Sequence, residues 1–150
     1  MSEKTTYMSA VENAFISFEQ ENFSYGDTIP TDWFWKKFYL KRSNDYEQMS
    51  RNQILHNRYL GALRNKLLSE RQMWLVPFEG VGQRIVHPKE QTEMAMKEVK
   101  SKISKEIKKA SLRLSNVNVA LLSQSEKREN SDAIAQMTFF ANRSKKQLVW

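Results

Sequence analysis

Apolar positions recur along this chain in two different periods, and the changes between them divide it into segments. Met8, Val11, Phe15 and Phe18 are three and four residues apart, which predicts an amphipathic helix over residues 5–20. The stretch 22–30 holds Gly26 and Pro30 and reads as a connection. Thr31 stands as an N-cap ahead of a short, aromatic-rich helix over about 31–39. Ser43, Asn44 and Asp45 make a second turn and cap, and a longer helix over 46–71 follows. Residues 73–77 and 84–88 are then short strand-like runs, with Gly80 and Gly82 between them as suppliers of positive φ. They predict a β-hairpin that holds all the strand in the chain. After Pro88 the helical period returns. Met96, Val99, Ile103, Ile107, Ala110, Leu114, Val117 and Leu121 are spaced 3-4-4-3-4-3-4 and predict a helix over 92–123. A polar turn at 126–131 leads into a last helix over 130–142 with Ala133, Ile134, Met137, Phe140 and Ala141 on its apolar side. The tail from Asn142 is basic and then apolar.

The fold class is therefore mainly α with one β-hairpin. Helix, short helix, longer helix and hairpin, in that order, are the layout of a winged helix-turn-helix over about 20–88. A C-terminal helical hairpin or coiled-coil segment follows it. The domain division is 1–88, the N-terminal helix plus winged-helix module, and 89–150, a helical oligomerisation segment. In such a module the short helix braces the longer one, which lies in a major groove about 12 Å wide. The hairpin reaches an adjacent phosphate strand or the minor groove.

The run Glu79-Gly80-Val81-Gly82-Gln83-Arg84-Ile85 resembles the wing of response-regulator DNA-binding domains, where a Gly-x-Gly-aromatic turn closes the final hairpin. Gln83 stands where that family usually has Tyr. The resemblance covers about residues 25–88 and only the wing is motif-like. There is no receiver domain and no phosphorylatable aspartate framework, so the resemblance implies a winged helix rather than membership of that regulatory family.

Helix 46–71, wound at 100° per residue, has Leu55, Tyr59, Leu63 and Leu67 on its core side with Leu60 at the edge. Arg51, Asn57, Arg58, Arg64 and Asn65 fall away from that stripe. Arg and Asn can pair bidentately with guanine and adenine edges, each such contact contributing about 1–3 kcal/mol of discrimination. These five, with Gln83 and Arg84 on the hairpin, are the candidate DNA-binding residues. Ile54, Gly61 and Leu68 share the outer face and suit a protein contact or a thymine methyl. The competing reading is a solvated basic helix face. Lys36 and Lys37, with Lys41 and Arg42 beyond them, are phosphate-positioning candidates, and equally complement the helix dipole. Trp33, Trp35 and Phe38 fit core packing better than a base-stacking platform, which usually lies on an open sheet.

Charge is unevenly placed. The chain has 150 residues, with 24 Lys+Arg against 17 Asp+Glu for a net +7. Residues 1–35 carry one Lys and six acids, whereas residues 36–89 carry eleven Lys/Arg and four acids. A strongly basic middle third behind an acidic segment is a reason to suspect a polyanion partner, the alternative being a soluble basic protein with no nucleic-acid role. Val99, Ile103, Ile107, Leu114, Val117 and Leu121 are the candidate oligomerisation residues of a homodimer paired through helix 92–123. Pairing of that helix with 130–142 inside one chain is the alternative, and both arrangements can hold in a dimeric bundle.

Zero cysteines remove disulfides, zinc ribbons and thiol catalysis. His56 and His87 are the only histidines and have no metal-ligand spacing, so no metal and no cofactor are expected. No P-loop, dinucleotide fingerprint or nucleophile elbow occurs, and no enzyme is expected. No run approaches the roughly 18 apolar residues of a membrane span, and no signal peptide opens the chain, so a cytoplasmic location is expected. The leading expectation is a dimeric transcriptional regulator that reads double-stranded DNA and acts by occupancy. The rival is a protein-interaction module on a winged-helix scaffold, in the style of a phage or mobile-element accessory protein acting on a host protein.

Overall fold

The computed structural model describes residues 3–147, which fall into two compact units that divide between Gln91 and Thr92. Unit 1 runs α1 (Glu3–Gln20), β1 (Thr28–Pro30), α2 (Thr31–Lys37), α3 (Tyr46–Arg71), β2 (Leu75–Phe78) and β3 (Gly82–Ile85). Helix α4 (Pro88–Ser115) carries the boundary in its first turn. A 3₁₀ turn (Val119–Leu121) and α5 (Gln124–Gln147) complete unit 2. No described helix is long and apolar enough to cross a membrane.

The core of unit 1 is built from the stripes the sequence predicts. Val11, Phe15 and Phe18 of α1 pack with Phe34 and Phe38 at α2 and with Tyr59, Leu63 and Leu67 of α3. Ile29, Leu75 and Ile85 close it from the sheet side. The surroundings of Met8 lie outside the described residues. Trp35 and Phe38 are buried and Trp33 half-buried, so the aromatics of α2 are core and hold no open stacking surface. Residues 46–71 form α3 as predicted. Asp45 caps its start by accepting from the Glu47 amide at 3.2 Å, and Ser43 Oγ accepts from the Asp45 amide.

The sheet departs from expectation in three ways. It has three antiparallel strands in the order β1-β3-β2, because Thr28–Pro30, read as connection, pairs with Arg84–Gly82 of β3. The hairpin turn is tighter than expected: Glu79 and Gly80 both have left-handed backbone, and Val81 N–H donates to the Phe78 carbonyl at 2.9 Å. The strands consequently reach further toward the turn than 73–77 and 84–88. Gly82 has no positive φ. Its role is close approach, since a Cβ there would lie 1.9 Å from the Ile29 carbonyl oxygen. Thr31 does not cap α2. Pro30 occupies that position, and Thr31 Oγ1 donates to the Val81 carbonyl at 3.2 Å, tying α2 to the hairpin turn. Helix α2 ends at Lys37, and Tyr39 beyond it turns left-handed.

Unit 2 departs further. The predicted helix 92–123 begins at Pro88 and stops at Ser115, although the apolar spacing continues. Proline is suited to the first helical position, where its missing N–H is not needed. At the other end Asn116 Nδ2 donates back to the Leu112 carbonyl, and a new start follows close behind. Ser123 accepts from the Glu126 amide through Oγ, while Glu126 Oε2 accepts from the Ser123 amide at 2.7 Å. This reciprocal capping box starts α5 at Gln124. The expected turn 126–131 therefore lies inside α5, which runs on to Gln147, past the expected end at 142. Residues 148–150 of the expected apolar tail lie outside the described residues.

Candidate nucleic-acid interface

Helix α3 turns Tyr59, Leu63 and Leu67 inward and leaves a solvent side along Ile54, Arg58, Gly61, Asn65 and Leu68. Of the candidate DNA-binding residues, Arg51, Asn57, Arg58 and Asn65 are exposed on α3. Arg51 lies 3.8 Å from Glu47 one turn earlier, and Asn57 Oδ1 accepts from Gln53 Nε2 at 3.0 Å. Arg58 has no ion pair among the described residues. Arg64 is spent on the fold: half-buried, it donates from Nε to the Leu75 carbonyl at 3.0 Å and holds the start of β2 against α3.

The other candidates are not all available at the same surface. Lys36 is exposed at the end of α2. Lys37 pairs with Glu21 at 3.3 Å and lies 5.7 Å from the Trp33 ring centroid. Gln83 is only 8% exposed on the central strand, and its Oε1 has no partner among the described residues. Arg84 pairs with Glu90 at 3.0 Å. The hairpin tip, Glu79-Gly80-Val81, carries no cation. Its exposed side chains are an acid and Val81.

The acidic N-terminal helix, with Glu21 just beyond its end, is an internal counter-charge. Glu12 binds Lys66, Glu19 binds Arg71, and Glu21 binds Lys37, so three cations of the basic middle segment are neutralised within unit 1. Counted by unit, residues 1–91 carry 12 Lys+Arg against 11 Asp+Glu, and residues 92–150 carry 12 against 6. The excess positive charge belongs to unit 2.

Two buried polar residues of α3 hold the approach to it. Asn52 Nδ2 donates to the Lys41 carbonyl at 2.7 Å while its Oδ1 accepts from Gln48, pinning the loop between α2 and α3. His56 stacks on Trp35 with centroids 5.1 Å apart, and Arg42 covers Trp35 at 5.0 Å. Burial lowers the His56 pKa below 6.5; the bond to Asn57 opposes this and the nearby Arg42 charge adds to it. Both residues continue the Tyr59 stripe at helical spacing, which is the sequence signal for their burial.

A shallow groove of about 280 Å³ beside Gly61 is lined by Arg64, Asn65, Leu68 and Trp74. With Ile54 58% exposed and Leu68 39% exposed, the outer side of α3 mixes apolar with polar groups.

In unit 2, among the described residues, no side chain is fully buried. Val99 and Ile103 are exposed on α4, and Ile107 and Leu114 are half-buried there. Val117 and Leu121, expected on the same seam, lie beyond the end of α4, with Leu121 81% exposed in the 3₁₀ turn. No protein-family model, curated protein or solved structure matches this chain.

Proposed function

We propose that this chain is a winged helix-turn-helix protein that reads double-stranded DNA as a dimer and regulates transcription by occupancy, without chemistry of its own. The observation that carries the reading is the order α1-β1-α2-α3-β2-β3 with strands ordered β1-β3-β2, together with Asn57, Arg58 and Asn65 on the solvent side of α3. In this reading α3 enters the major groove and these three side chains meet base edges. Lys36, Lys41 and Arg51 are the phosphate contacts, because the hairpin tip holds no cation and Arg84 is engaged by Glu90. Unit 2 is the dimerisation segment in this reading, because α4 and α5 leave Val99, Ile103, Phe139 and Phe140 exposed, apolar surface that a second copy would cover. A cytoplasmic location goes with this reading.

The test is selection from a random duplex pool at two salt concentrations, followed by sequencing. An enriched two-part motif whose binding weakens about tenfold or more in Arg58→Ala supports the reading. Retention with no enriched motif overturns it.

A second reading is favoured by the groove beside Gly61. Ile54, Leu68 and Trp74 suit an apolar protein partner, which makes the same scaffold a protein-interaction module of the phage or mobile-element accessory kind. Leu68→Glu would then abolish partner capture, while Arg58→Ala would leave it intact.

A further inference from the structure

Gly61 is the one glycine of the four that the fold does not need. Gly26 and Gly80 take left-handed backbone, and Gly82 makes room for the Ile29 carbonyl. Gly61 stands in the interior of α3, and a Cβ added there would meet nothing within 4 Å. Glycine in that setting lowers helix stability relative to alanine. The chain is otherwise sparing with it. Just past the ends of α1, α2 and α3, where glycine suits the left-handed turn, stand Asn22, Tyr39 and Gln72.

The place of Gly61 gives the missing side chain a direction. Wound at 100° per residue, it lies about 160° round α3 from the buried Leu63, at the middle of the solvent side. Its neighbours on that surface, three and four residues away, are Asn57, Arg58, Arg64 and Asn65, an Arg and an Asn on each side. Asn57 engages Gln53 through Oδ1, which leaves its amide N–H groups as donors. Arg64 is held at Nε by the Leu75 carbonyl and keeps its charge at the rim. From Gln48 to Ser69 the helix holds four cations and no acid.

We propose that Gly61 is the point at which α3 touches the floor of the DNA major groove. The missing side chain lets the helix backbone settle against a base-pair edge, while Asn57, Arg58 and Asn65 donate to acceptors on that pair and its neighbours. This rests on the reading of α3 as the helix that enters the groove, and adds its point of closest contact. A ring of donors without an acid calls for an acceptor-rich surface, which purine N7 and O6 and thymine O4 supply. An apolar helix of a protein partner crossing at the same point would bury Arg58 and two carboxamides without partners, which is costly. Ile54 and Leu68 lie about 10 Å to either side along the helix axis, outside the ring, where thymine methyl groups suit them.

The test compares the full chain with Gly61→Ala and Gly61→Leu on two duplexes: the motif that the parent enriches from a random pool, and one lacking it. Gly61→Ala is expected to raise the urea midpoint, since alanine favours a helix interior by about two- to fivefold in the folding equilibrium constant. The same variant should bind the motif about tenfold more weakly. Its affinity for the unrelated duplex should stay within about twofold, because the phosphate contacts of Lys36, Lys41 and Arg51 remain. Gly61→Leu, whose side chain starts in open space, should bind the motif more weakly still while circular dichroism shows its helices intact. A Gly61→Ala protein that binds the motif as tightly as the parent would overturn the contact and leave the DNA reading standing. An equal loss on both duplexes would overturn it as well, by setting residue 61 against phosphates rather than bases. A parent that enriches no motif would overturn both and point to the protein partner instead.

Discussion

Lys66 of α3 and Glu12 of α1, 54 residues apart in sequence, meet at 2.7 Å across the seam between their helices, and the Lys66 ammonium lies 4.6 Å from the Phe15 ring centroid. The hydrogen bond to Glu12 raises the Lys66 pKa above its ordinary 10.5. The stability it contributes is complete below that value and is lost as pH climbs through the folded-state pKa. Both side chains are partly exposed, so a double-mutant cycle with Glu12→Gln and Lys66→Met is expected to give a coupling of about 0.2–1 kcal/mol. Urea midpoints measured at neutral and strongly alkaline pH check the size and the sign.

Gly82 and Gly80 separate two reasons for glycine. Gly82→Ala drives a carbon into the Ile29 carbonyl and forces β1 away from β3, at an expected cost of about 2–3 kcal/mol or more. Gly80→Ala meets open space and pays only for its left-handed backbone, about 1–2 kcal/mol. Chemical denaturation of the two variants should rank them in that order.

His56 makes unit 1 sensitive to acid. Its folded-state pKa is lowered by burial, so between pH 6.5 and that lower value the unfolded chain binds the extra proton. Stability is unaffected above this window, falls as pH drops through it, and levels off below. His56→Phe should flatten that part of the melting-temperature profile, and an unchanged slope would assign the acid sensitivity elsewhere.

Arg58 and Arg64, both candidate base readers by sequence, are expected to part company. Arg64→Ala leaves the Leu75 carbonyl without its donor and should cost about 1–3 kcal/mol of stability. Arg58→Ala should stay within about 0.5 kcal/mol of the parent and lose affinity for duplex DNA instead. Thermal melts and DNA titrations of the same two proteins separate the effects.

Ser123→Ala removes the hydroxyl half of the capping box and should destabilise the start of α5 by about 1 kcal/mol. Hydrogen exchange at the Glu126 amide reads this directly.

What the sequence discloses follows the range of the forces involved. Helix α3 was legible end to end because Asp45 caps it locally and its apolar stripe from Leu55 to Leu67 repeats over about three turns. Strand β1 was not, since three residues cannot display a period and its pairing partner lies more than fifty residues away. The end of α4 was hidden because Val117 and Leu121 prolong an apolar spacing that the backbone does not follow. The Ser123-to-Glu126 signature stands in the sequence and names the true start of α5. For the candidate interface, winding α3 gave the outward side but not the partners. That Arg64 would be claimed by Leu75, and Arg84 by Glu90, depends on neighbours brought in by the tertiary fold.

The division of charge, nearly balanced in unit 1 and 12 against 6 in unit 2, makes ionic strength act in two opposite senses. Two copies of a unit with that excess repel each other across their whole surfaces, so added salt tightens a contact between them by screening. The same salt loosens any hold on a polyanion by removing the gain from counterion release. A salt series on the proposed dimer and its DNA complex is therefore expected to show the two terms with opposite signs.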